Sequence, residues 1–143
     1  MPAAARVAIT FIGAASEVFG GYLSYLRNGG HNVSAAVDVR QASTQAGTLR
    51  PDLVFLDFGD PSPTGLALLR ELRSDIRLGA IPVVLLASFE ALEDARAGLE
   101  LGACDYVIKT ETSAPALARC VSGWARNRLT PAGMVSMRQP ASA

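Results

Sequence analysis

The chain has 143 residues, half of them hydrophobic and 18% charged, which suits one domain with a sizeable core and excludes a disordered chain. Lys+Arg 13 balances Asp+Glu 13, so the formal net charge is zero, which argues against a general nucleic-acid-binding surface, one that needs a basic excess, and leaves a local patch open. The two cysteines, Cys104 and Cys120, have no CxxC spacing and one histidine, His31, for company, so they read as buried reduced thiols of a cytoplasmic protein and not as metal ligands.

Short apolar runs alternate with helix-patterned segments. Residues 6–12 (RVAITFI) read as a first strand. Arg6 followed by an apolar run loosely mimics a signal peptide, but the run is short, contains Thr10 and suits a strand; no apolar run is long enough to span a bilayer. Residues 17–28 follow with Val18, Phe19, Tyr22, Leu23, Tyr25 and Leu26 at helical spacing, stopped by Gly29-Gly30. Gly20-Gly21 inside that helix weakens it and suggests close packing. Residues 32–37 read as a second strand and 39–49 as a weak, polar helix. Residues 52–58 (DLVFLDF) form a continuous apolar run ending in an acid, the pattern of a parallel strand covered on both faces.

The Pro/Gly-rich stretch from Gly59 to Gly65 reads as a turn, with Asp60 capping it, and Leu66, Leu68, Leu69, Leu72 and Ile76 mark a third helix to about Asp75. Residues 81–87 (IPVVLLA) predict a fourth strand with Pro82 at its start, and Ser88 a cap for a helix that runs to Leu101 and stops at Gly102. Residues 104–109 (CDYVIK) predict a fifth strand. Ser113 caps a last helix that tolerates Pro115 in its first turn and carries Leu117, Ala118, Val121 and Trp124 on its apolar side. Residues 1–128 make one domain; 129–143 are Pro/Ser/Ala/Met-rich and read as a flexible tail or a truncated linker. Strands alternating with helices imply a flavodoxin-like, doubly wound (βα)5 sandwich, a parallel sheet of order 2-1-3-4-5 with helices on both faces.

In such sheets chemistry collects outside the carboxyl ends of the strands. Those ends carry Phe11-Ile12-Gly13 on strand 1, Asp57 on strand 3, Ala87-Ser88 on strand 4 and Lys109-Thr110 on strand 5. Lys109 is the only lysine beside twelve arginines, which is either chance or a site that wants a compact ammonium. Beside that ammonium Asp57 stays ionised and can attack a phosphoryl group; a structural ion pair, or an aspartate that caps its turn, is the plainer alternative.

These residues resemble the receiver domains of bacterial response regulators, the phosphotransfer modules of two-component signalling. PDLVFLDFGDPSPTGLALLRELR is similar to the family's strand 3, acceptor loop and helix 3, with Asp57 on the phosphoacceptor position, Pro61 four residues on and Gly65 eight residues on. IPVVLLAS resembles strand 4, and LGACDYVIKT strand 5, with Lys109 on the family's lysine position and Tyr106 on its switch aromatic. The resemblance covers about residues 6–128.

The chain departs from the family in three respects. The family ends strand 1 with two adjacent acids that hold Mg²⁺ together with the acceptor; the matching positions are Phe11-Ile12, or Gly13-Ala14 if helix 1 is aligned by its stop, and neither pair is acidic. The hydroxyl of strand 4 is Ala87, and Ser88 beside it points elsewhere unless a bulge brings it in. The proline after the lysine, usually cis, is Thr110, which predicts a different path for that loop. The resemblance thus implies an atypical receiver, not an enzyme, with no resident cofactor and weak Mg²⁺ binding. It implies a histidine kinase or other signalling protein as partner, no direct nucleic-acid or membrane contact in this domain, and a homodimer as an arrangement open to the face of helix 4, strand 5 and helix 5, lined by Glu93, Arg96, Glu100, Asp105 and Arg119. A fully phosphorylation-competent receiver and a flavodoxin-like small-ligand module are the alternatives, the second lacking a Gly-x-Gly phosphate loop after strand 1.

Overall fold

The computed structural model describes residues 6–13, 17–59 and 63–127. Strands β1 (Ala8–Ile12), β2 (Asn32–Ala36), β3 (Leu53–Gly59), β4 (Val83–Ala87) and β5 (Asp105–Ile108) alternate with helices α1 (Glu17–Asn28), α2 (Val39–Leu49), α3 (Pro63–Ser74), α4 (Leu92–Glu100) and α5 (Ala114–Ala125). All strand pairs are parallel, in the order β2-β1-β3-β4-β5. The expected order and helix-covered sheet are therefore present.

Period-two alternation sorts the strand residues onto two faces. Ile9, Phe11, Leu53, Phe55, Val84, Leu86 and Val107 bury one face under α1 and α5, against Phe19, Tyr22, Leu26, Leu117, Val121 and Trp124. Ile12, Val54, Leu56, Phe58, Val83 and Leu85 bury the other under α2, α3 and α4. Phe11 is central to the first face: it stacks on Phe55 at 4.8 Å and meets Phe19 edge-on at 5.1 Å. Such pairs add about 0.5–1.5 kcal/mol each beyond the area they bury.

Local chemistry explains where several elements differ from expectation. β4 starts after Pro82, which has no N–H to give the ladder and instead accepts from Val54 through its carbonyl at 2.9 Å. β2 ends at Ala36, leaving Val37 70% exposed. α3 begins at Pro63, inside the stretch expected to be a turn, because proline fits a helix's first turn where N–H groups lack intrahelical partners. α2 is better anchored than its polar sequence suggests: the Asp38 carboxylate accepts from the Gln41 N–H at 2.8 Å, and the Gln41 side chain accepts from the Val37 N–H at 2.7 Å. The stops at Gly30 and Gly102 hold, both with positive φ, and Ser113 caps α5 through the Ala116 N–H.

Other expectations are corrected. Gly20-Gly21 serves no close approach, since a side-chain carbon on either would meet nothing within 4 Å. Ser88 does not cap through its side chain; its carbonyl accepts from the Ala91 N–H, and a 3-10 turn, Phe89–Ala91, precedes α4. Cys104 is buried, but Cys120 is half-buried. Asp60, Pro61 and the expected tail 129–143 lie outside the described residues. Among the described residues no helix is long and apolar enough to cross a membrane.

Candidate functional site

β1 and β3 are neighbours although β2 intervenes in sequence, so the switch point opens beside the carboxyl end of β3. Asp57 stands there, its register partner on β4 being Leu86. Gly59 next pairs with Ala87, so β3 carries one extra residue, Phe58, against β4. The bulge is thus on β3 and not beside Ser88. Phe58 is 5% exposed and lies over two helices: a side-chain carbon on Gly65 of α3 would stand 2.9 Å from its ring, and one on Gly98 of α4 would stand 3.5 Å from it. The residue after the acid is thereby wedged between α3 and α4.

Lys109 follows β5 and opens a 3-10 turn, Lys109–Glu111. Its Nζ donates to Asp57 Oδ1 at 3.0 Å, and the two side chains are only 16% and 11% exposed. Little water screens this pairing, and burial also costs both charges part of their hydration. Asp57 and Lys109, both expected at this edge, thus meet across it.

The other expected positions divide. Phe11 and Ile12 have no exposed surface and serve opposite faces of the core. Gly13 follows with φ +147, and a side-chain carbon on it would stand 2.5 Å from Asp57 Cβ. The backbone at Gly13, just past β1, therefore packs on Asp57 and leaves no room there for a side chain. Ala87 is fully buried in the ladder opposite Ile108, and Ser88 leads into the turn before α4. Tyr106 is half-buried against the core on the α2–α4 side. Among the described residues no three His, Cys, Asp or Glu side chains gather as a metal site. With Gly13 seated on Asp57 and apolar side chains before it, the donors among the described residues do not fit Mg²⁺, which requires several oxygen ligands in near-octahedral order.

Two features escaped the sequence reading. Asp105, expected on the outer face beside α4, is only 5% exposed; its Oδ2 accepts from Trp124 Nε1 at 3.0 Å and its Oδ1 from the Tyr106 N–H at 2.8 Å. It ties β5 to α5 and leaves that outer charge set. Tyr22 is 3% exposed, and its hydroxyl donates to the carbonyls of Thr112 at 2.7 Å and Lys109 at 3.2 Å. Burial also pushes the Tyr22 phenol up from its ordinary value. The sequence signal was a polar tip in an apolar stripe, which needs a partner when buried. The loop that expectation assigned a different path is tied at this point, and among the described residues every peptide bond is trans.

A doubly wound sheet of this order, with an acid on its third strand paired to a lysine after its fifth, defines a receiver-type signalling domain. The response regulator receiver domain model matches residues 16–120, and the chain belongs to that family, whose members serve two-component signalling. The chain is 38% identical over 112 residues to the DNA-binding response regulator MtrA of Mycolicibacterium smegmatis, a match covering 78% of this chain and 48% of that protein. It is 43% identical over 84 residues to the probable transcriptional regulatory protein TcrX of Mycobacterium tuberculosis, covering 59% of this chain and 35% of that one. The chain thus spans about half, or less, of the length of these curated relatives. The solved chemotaxis response regulator CheY4 of Vibrio cholerae superposes with a TM-score of 0.67 at 19% identity, over 83% of this chain and 98% of that one, a likeness of fold.

Proposed function

We propose that the chain is an atypical receiver of a phosphorelay, with Asp57 at the phosphoacceptor position, Lys109 as the cation that neutralises charge there, and Mg²⁺-dependent phosphorylation weak or lost. The observation that carries this reading is the approach of Gly13 to Asp57, 2.5 Å from a side-chain carbon on one to the Cβ of the other, where an acid would have to supply metal ligands. The nucleophile is kept. Its carboxylate oxygen would attack phosphorus, the leaving group would depart with its electron pair, and Lys109 would bond the phosphoryl oxygens. Without a metal clamp that transfer is slow. Ala87, without a hydroxyl, weakens the usual readout of the phosphoryl group, while Tyr106 keeps the switch aromatic position.

On this reading the chain is a signalling module and not an enzyme, works in the cytoplasm, and acts through protein contacts with a histidine kinase or another signalling protein. A homodimer through α4, β5 and α5 draws on Glu93, Arg96, Glu100 and Arg119, all exposed, with Phe89 65% exposed at the head of α4. The zero net charge supports no direct nucleic-acid contact by this domain, although the relatives MtrA and TcrX carry DNA-binding and transcriptional names. The test is incubation with acetyl phosphate and Mg²⁺, or with beryllofluoride, followed by intact mass and Trp124 fluorescence. Slow or absent modification is expected. Rapid modification that vanishes in Asp57→Asn would establish the fully competent receiver instead.

A further inference from the structure

We propose that Tyr22 is the positioning residue for Lys109, holding its ammonium on Asp57 from across the domain. The inference rests on reading Asp57 and Lys109 as the working pair. β5 ends at Ile108, so the segment that follows has left the ladder when Lys109 must be placed. Lysine is a compact charge on a flexible four-carbon stem, and its direction is only as fixed as the backbone that carries it. Thr110 supplies no ring to set that backbone. The Tyr22 hydroxyl supplies a tie instead. Its single proton is shared between the Thr112 carbonyl at 2.7 Å and the Lys109 carbonyl at 3.2 Å, the residues that begin and follow the 3-10 turn. Tyr22 itself is clamped: it is 3% exposed in the core between the sheet, α1 and α5. A rigid ring thus carries a donor to the turn, and the turn aims Nζ to 3.0 Å from Asp57 Oδ1.

The chain offers its own probe, because Lys109 is its only lysine. Lysine labelled with ¹⁵N and ¹³C gives one side-chain resonance, and limited acetylation of Lys109 is read by peptide mass. Tyr22→Phe removes only the hydroxyl. The expected result is that the Lys109 resonance moves toward that of Asp57→Asn and that acetylation of Lys109 speeds up about fivefold, the factor that one ordinary hydrogen bond represents. A Tyr22→Phe chain that melts lower, yet keeps the wild-type Lys109 resonance and reactivity, assigns Tyr22 a purely structural part and overturns the proposal. Should that variant not fold, fluorotyrosine in the unmutated chain lowers the phenol pKa, so that raising the pH strips the Tyr22 donor without a substitution. The Lys109 resonance is then expected to shift in step with the Tyr22 phenol, and indifference to that step overturns the proposal. Rapid Mg²⁺-dependent phosphorylation of the wild type would overturn the function proposed above while leaving this readout of Lys109 intact.

Discussion

Gly13 lies so close to Asp57 that a side-chain carbon on it would stand 2.5 Å from the Asp57 Cβ, and its φ of +147 is one that other residues rarely adopt. Position 13 is therefore closed to a carboxylate on steric and conformational grounds together. Gly13→Asp is expected to lower stability by about 2 kcal/mol or more and to add no Mg²⁺ affinity. Urea unfolding and calorimetric Mg²⁺ titration of the variant check both halves. A folded Gly13→Asp chain that binds Mg²⁺ tightly would show that the loop yields.

The Asp105–Trp124 bond is buried on both sides, with the two residues 5% and 8% exposed. Trp124→Phe keeps a ring for contact with Phe55, which Trp124 meets edge-on at 5.8 Å, but removes the donor. Leaving a buried carboxylate short of a donor costs about 1–3 kcal/mol. Unfolding followed by circular dichroism is the measurement, since the substitution removes the chain's only tryptophan.

Two glycines in helices are expected to answer alanine with opposite signs. At Gly123 of α5 an added carbon meets nothing within 4 Å, so Gly123→Ala should stabilise by about 0.5–1 kcal/mol through backbone entropy alone. At Gly98 of α4 the same carbon would stand 2.5 Å from Leu85 Cδ1 and 3.3 Å from Leu69 Cδ2, both in fully buried side chains. Overpacking there outweighs the helical gain, for a net loss of about 1–2 kcal/mol. Thermal melts of the two variants side by side decide it.

His31 accepts the Val7 N–H on Nδ1 at 3.1 Å, and burial holds it below its ordinary value of 6.5. A protonated imidazole cannot accept that bond. The unfolded chain takes up the proton as pH falls through 6.5, while the folded chain resists until lower pH. The contribution of His31 is therefore complete above 6.5 and fades as pH falls through the folded value. His31→Gln should flatten that part of the stability profile, measured by urea midpoints between about pH 5 and pH 8.

The order of elements, the two-faced burial of the strands and the pairing of Asp57 with Lys109 were determined by the sequence alone. Each depends on a local pattern: runs of β-branched and aromatic residues, glycine stops, and the rule that strand carboxyl ends share one edge. The capping of α2 is equally local, in the Asp38 and Gln41 spacing, although residues 39–49 read only as a weak, polar helix. How the end of β1 meets that edge was decided only by the tertiary structure. Sequence showed that the acids are missing, but not that Gly13 packs on Asp57, because that contact depends on how far β1 runs beside β3 and on one backbone angle. The same holds for the Tyr22 tie, which spans 87 and 90 residues, and for the withdrawal of Asp105 from the surface into a bond with Trp124. Contacts between residues distant in the chain are set by how helices seat on a sheet, and periodicity names the face a residue joins without naming the partner it meets there.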